Sequence, residues 1–356
     1  MKAYQRFLFK ATLNSRDRIE LYDNFKLYAM NNMSVKDIFE NLIRSYTRQG
    51  KKPKSAMAMI LKECAARYKE GEGGFSTAFG DWLPEQELTV IDTNYLSKKS
   101  HIGFEKAMVL ADNADILNKE IKSTRNTILY LIFICFSLIG VIFYSVIPEV
   151  ISTTPLERWS SAQKAVYYLY IFMTDYSYIL APFLIFATYV IKKSIPVWTG
   201  DLRFYFDKYP PYSFYKLMMG ASFITSVDAM LSSGMSLKFT LEHIHKSSKS
   251  KWLKERVKAA MSGVNTGEEN LGSALSVSGY EFPDEDSIIK MQTIFNNQNS
   301  AGSLSRFSEH KMKKTLEDIK GKGQKLKIWV MFGFAFVFMT ICIVMYDLIK
   351  VSFFRM

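Results

Sequence analysis

The sequence is poor in the residues that usually carry chemistry. Among 356 residues there are 3 cysteines and 4 histidines. Cys64, Cys135 and Cys342 have no zinc or redox spacing and imply no disulfide framework. The last two lie in apolar runs, where a thiol acts as a small hydrophobe. His243 and His245 flank Ile244, so on a helix they point about 200° apart and cannot share a metal. Glu242 completes no ligand set beside them, and His101 and His310 stand alone. All four histidines read as surface or packing residues. No Ser-His-Asp or Cys-His arrangement can be assembled, which excludes nucleophilic catalysis of those kinds. A Gly-x-x-x-x-Gly-Lys-Ser/Thr phosphate cradle is also missing. Gly267-Glu268-Glu269 and Gly321-Lys322-Gly323-Gln324 come nearest, and both read as turns. The expectation is a chain that is not an enzyme and uses no metal or cofactor. The start, MKAYQRFLFKATLNSRDR, has no apolar core of a signal peptide and is expected to stay in the cytoplasm.

Acidic residues are scarce relative to basic ones, 34 against 46, giving a net charge of +12. Excess base suits nucleic acid, anionic lipid or an acidic protein. No stacking platform accompanies the lysine run at 311, 313, 314, 320, 322, 325 and 327, so nucleic acid is not an expected partner. Lipid headgroups suit that run better, because it leads directly into an apolar segment.

Apolar runs are abundant. Residues 127–147 (TILYLIFICFSLIGVIFYSVI) carry no charge and are long enough to cross a bilayer. Residues 328–349 (IWVMFGFAFVFMTICIVMYDLI) carry only Asp347. Residues 165–191 (AVYYLYIFMTDYSYILAPFLIFATYVI) are a third candidate. They contain Asp175, Pro182 and a group of tyrosines suited to an interfacial belt. Asp175 is an ionisable residue in or near a span, and so a functional candidate; a headgroup-level position is the alternative. Lys119, Lys122 and Arg125 precede the first span, Lys192 and Lys193 follow the second, and Lys320, Lys322, Lys325 and Lys327 precede the third. The loop 148–164 is neutral by comparison. The positive-inside rule then places 1–126 and 192–327 in the cytoplasm, and 148–164 and 350–356 outside.

The two polar regions look like copies. NNMSVKDIFENL (31–42) matches SGMSLKFTLEHI (233–244). Asn32 and Gly234 occupy one position, and both residue types tolerate the left-handed backbone of a turn. GFSTAFGDWLPEQE (74–87) matches LGSALSVSGYEFPDED (271–286), pairing Gly74 with Gly272 and Pro84 with Pro283. Each proline, with the acids after it, predicts a helix start with proline at the first position. The acidic clusters Glu85/Glu87 and Asp284/Glu285/Asp286 are explained by that helix start, with a basic partner surface as the alternative. Gly103 lies 19 residues after Pro84 and Gly302 lies 19 after Pro283. Helices punctuated by glycine, asparagine and proline, without period-2 alternation, predict an all-α bundle in each copy.

These motifs resemble the type II secretion F and type IV pilus C-type platform proteins, with their order of domain, span, loop, span, domain, span. The second copy is closer, with Gly234-Met235-Ser236-Leu237, Gly272-Ser273-Ala274-Leu275, Phe282-Pro283 and Ser300-Ala301-Gly302-Ser303-Leu304. The first copy departs, with Asn32 for a glycine and His101-Ile102-Gly103-Phe104 at the last motif. The family's glutamate before that motif has no counterpart at Lys99, Ser100, Gln298 or Asn299. A short N-terminal extension found in secretion members is missing, which looks more like the type IVb pilus branch. The resemblance implies an integral inner-membrane protein of all-α fold with three transmembrane helices and two homologous cytoplasmic helical-bundle domains. It implies a platform that couples a cytoplasmic hexameric ATPase to insertion of pilin or pseudopilin subunits. Its partners would be that ATPase, the subunits, other inner-membrane pilus assembly proteins and further copies of itself. An oligomeric membrane transporter or channel subunit is the competing expectation.

Overall fold

The computed structural model describes Arg6, Phe9 and residues 13–70, 75–96, 100–153, 156–268, 270–296 and 300–354. Among the described residues every regular element is helical. The chain divides into two compact units. Unit 1 comprises Met1–Lys119 and Pro196–Leu316; unit 2 comprises Glu120–Ile195 and Glu317–Met356.

In unit 1 the helices α1 (Ser15–Met30), α2 (Val35–Tyr46), α3 (Ala56–Glu70), α4 (Phe75–Phe79) and α5 (Glu85–Leu96) lead into the long α6 (Ser100–Val141). After α10 (Asp201–Phe206) the order recurs as α11 (Tyr212–Ser232), α12 (Leu237–Ser247), α13 (Lys251–Asn265), α14 (Leu271–Val277), α15 (Glu285–Phe295) and the long α16 (Ser300–Phe354). Local chemistry sets the same boundaries in both series. Ser34 and Ser236 each accept a backbone N–H three residues on, capping α2 and α12. Before each cap the chain turns through a left-handed residue, Asn32 at φ 54° and Gly234 at φ 90°.

The first series packs around Leu21, Tyr22, Phe25, Phe39, Phe75, Phe79 and Phe104, with Phe25 stacked on Phe104 at 5.2 Å. The second packs around Phe223, Trp252, Val257, Leu275, Phe282 and Met291, and Val90 and Leu110 of the first series join that core. The α5 helix therefore serves both. Leu88 and Ile91 line the first core and Val90 the second, and its polar side chains bond across: Gln86 accepts from Ser226, and Asn94 donates to Ser233 at 2.7 Å.

Unit 2 holds the apolar half of α6, a wider π turn at Ile142–Val146, α7 (Ile147–Thr153), α8 (Ser161–Asp175), α9 (Ser177–Val197) and the apolar half of α16. Two helical stretches, Ser100–Glu149 and Gly302–Val344, are long and apolar enough to cross a membrane, and their apolar windows are largely exposed. The π turn ends two residues before Pro148, whose ring would clash with the carbonyl of Tyr144 in a regular helix, and the wider turn gives it room.

The expected middle span, 165–191, is not one helix. It breaks at Tyr176, between α8 and α9. The Thr174 hydroxyl donates back to the carbonyls of Tyr170 and Ile171, at 2.9 and 3.2 Å, which loosens a helix ladder there. The run Gly321–Gln324, read from sequence as a turn, is instead helical within α16. Its glycine serves packing, since a Cβ on Gly323 would lie 2.6 Å from Thr124 Cγ2 of α6. The other such run behaves as a turn, with Gly267 at φ 107°.

Candidate functional site

The motif residues divide by what surrounds them. Gly272 in α14 abuts α15 so closely that a Cβ would lie 2.2 Å from the backbone nitrogen of Gln292. Gly103 in α6 faces α5, where a Cβ would lie 2.9 Å from Asn94 Cβ and 3.1 Å from Ile91 Cα. Gly302, its counterpart in sequence, has open space around it. Gly74 lies outside the described residues. Pro84 and Pro283 precede their helices rather than occupying the first helical position. The α5 helix begins at Glu85, and α15 begins at Glu285 with Asp284 as its cap. Asp284 takes the capping role because its carboxylate accepts the Ser287 N–H at 3.1 Å, which proline cannot match.

Two of the five acids that follow, Glu87 and Asp284, are occupied. Glu87 is 4% exposed and accepts from Arg18 and from the Tyr22 hydroxyl at 2.6 Å. Burial pushes its carboxyl above the usual range despite Arg18. Burial also pushes up Asp284, but the Lys311 ammonium and the Ser287 bonds outweigh it and hold the carboxyl below its ordinary value. Glu85, Glu285 and Asp286 remain exposed. His243 is a packing residue, set against Thr89 of α5, and burial holds its imidazole below the ordinary value.

A buried ionic pin lies where no sequence motif pointed. Asp207 accepts from Arg203, from Arg256 at 2.9 Å and from the indole of Trp252 at 3.2 Å. All three charged side chains are nearly inaccessible. Arg256 stacks on Trp252, 3.8 Å from the ring centre, and Arg203 on Tyr212 at 4.2 Å. Burial pushes Arg256 down to about 10. The i,i+4 spacing of Arg203 and Asp207 was the available signal. The pin ties α10 to α13, and nearby the Ser250 hydroxyl donates to the carbonyl of Pro196.

Unit 2 offers apolar surface. A shielded stripe runs along α6 through Ile121, Thr124, Ile128, Leu131, Cys135 and Ile139. Another runs along α16 through Gly323, Leu326, Val330, Phe334, Phe338 and Ile341. Phe143, Ile147, Trp159, Val166, Ile341 and Val344 form the one core cluster assigned to this unit among the described residues. The α9 helix differs, its described apolar positions being exposed except Ala187, Ile195 and Pro196. Asp175 ends α8, exposed, at the break beside Tyr176. Among the described residues no group of three or more His, Cys, Asp or Glu side chains is placed to hold a metal.

Among the described residues the fold is all-helical, a polar helical bundle with two helical stretches long and apolar enough to cross a membrane. Residues 223–347 match the family model of the type II secretion system (T2SS), protein F, and carry that family's domain. The match begins in α11 and ends within the apolar half of α16. Comparison with curated proteins finds no match.

Proposed function

We propose that this chain is an inner-membrane platform of a type IV pilus or related type II secretion machine. In this reading residues 1–126 and 192–327 are two homologous cytoplasmic domains. Residues 127–147, 165–191 and 328–349 are three spans, with 148–164 and 350–356 outside. The cytoplasmic domains engage a hexameric assembly ATPase, and the spans present pilin or pseudopilin subunits to the filament. The protein is not itself an enzyme, and it works beside other copies and other inner-membrane assembly proteins.

The observation that carries this reading is the protein F match over residues 223–347, which takes in both polar bundle and apolar helix. Two further features support it. The helix order of residues 15–141 recurs over 212–354. Residues 182–191 of α9 are apolar except Thr188 and exposed except Ala187, as a lipid-surrounded helix is. Asp175, at the break in the middle segment, is the residue proposed to contact a subunit's transmembrane end.

The test is isolation of the tagged full-length protein from membranes of its host after mild crosslinking. Recovery of an assembly ATPase and a prepilin with it is expected. Recovery of neither, with the tagged protein intact, sinks the coupling role and favours a transporter or channel.

A further inference from the structure

The α10 helix has two opposite faces. Arg203 and Asp207 point inward to the buried pin. Leu202, Tyr205 and Phe206, with Tyr209 in the following turn, point outward with exposures of 71, 57, 41 and 51%. Their spacing of i, i+3, i+4 and i+7 is that of one apolar helical face. The rings form a contiguous patch, since Trp198 lies 5.4 Å from Phe206, and Tyr205 lies 5.9 Å from Phe206 and 5.8 Å from Tyr209. Soluble surfaces rarely leave such a cluster bare.

The neighbourhood of the patch identifies its occupant. It follows α9 directly, and from Val197 to Leu202 the chain reaches at most ~18 Å even when fully extended. Gly200 makes the turn between the two helices at φ 93°, a conformation that suits glycine. Lys192 and Lys193 lie just before the patch and Lys208 lies within it, all exposed. Of the acids in this stretch, Asp207 is held in the pin, leaving Asp201. Tyrosine and tryptophan, part apolar and part hydrogen-bonding, favour the headgroup layer, and lysines favour anionic lipid.

We propose that the outward face of α10, with Trp198, is an interfacial docking surface for an anionic phospholipid bilayer. The buried pin behind it fixes this surface to the helical bundle, so the bundle is tethered to the headgroup layer by a rigid element. The inference rests on reading α9 as a span.

The test uses the full chain with Cys64, Cys135 and Cys342 replaced by alanine, reconstituted in vesicles of phosphatidylethanolamine and phosphatidylglycerol. Helix content equal to the wild type verifies the fold. Nitroxides are placed by Leu202→Cys or Tyr205→Cys, with Lys258→Cys on exposed α13 surface and Phe332→Cys on α16 as references. The expected result is that the labels at 202 and 205 lose collisions with a water-soluble nickel chelate and gain collisions with oxygen relative to 258. They should be shallower than 332. Water-like accessibility at 202 and 205 with 332 deep in lipid overturns the docking surface and leaves the spans standing. Labels at 202 and 205 shielded from both reagents also overturn it, in favour of a protein contact. A water-like label at 332 overturns the membrane reading itself.

Discussion

At the residue scale, the bundle is held by a few buried charges and close glycines. Asp207 faces two guanidinium groups, so its loss removes the buried counter-charge they share and leaves Arg256 only the less buried Glu255 at 3.3 Å. Asp207→Ala is expected to lower stability by roughly 3–5 kcal/mol, measured by denaturant unfolding in detergent. A loss below ~1 kcal/mol contradicts the pin. The paired glycines separate two roles. Gly103→Ala drives a methyl into α5 and should cost about 1–3 kcal/mol. Gly302→Ala meets nothing and should be neutral or gain up to ~1 kcal/mol from helix propensity. Equal effects would show that the glycines do not pack as described.

Asp284 gives a pH dependence with a definite sign. Its folded-state carboxyl is held below the ordinary value, so its contribution is present in full above the unfolded value near ~3.9 and fades as pH falls through the folded one. The stability difference between wild type and Lys311→Met should be constant from neutral pH down to about 4 and shrink below that. A difference that grows on acidification contradicts the assignment.

At the scale of elements, the sequence was most legible where local chemistry decides. The turns at Asn32 and Gly234 and the apolar runs of α6 and α16 follow from nearest neighbours and length. Pairing across the fold was not legible. Nothing local to Gly321–Gln324 distinguishes a turn from a helix; the distinction is made by Thr124, nearly 200 residues earlier, against which Gly323 packs. Likewise the pin requires Arg256, far from Arg203 and Asp207. The break at Tyr176, beside the Thr174 hydroxyl bonded back to Tyr170 and Ile171, is a feature that apolar length does not report. For the middle segment the proposed topology predicts an outcome for reporter fusions. A periplasm-dependent phosphatase should be active when fused after residue 156 and inactive when fused after residue 126 or 199. Activity at 199 equal to that at 156 would mean that α8 and α9 do not cross.

At the scale of the whole molecule, the candidate site is a division of labour rather than a pocket. One unit buries its charges and packs its aromatic residues; the other presents apolar helices. The motifs near Gly234, Gly272 and Pro283 made the resemblance to protein F legible from sequence, and the family match over residues 223–347 bears it out. Surfaces for the proposed ATPase and subunits were not legible, because exposed acids such as Glu285 and Asp286 carry no pattern that separates a partner surface from a helix start.

The most direct measurement is deletion of the gene in its host, with surface filaments and secreted substrates scored alongside complementation by the wild-type gene. The account predicts that filaments or secretion vanish while pilin is still made and processed, and that the wild-type gene restores them. Unchanged filaments and secretion in the deletion strain would contradict the platform function.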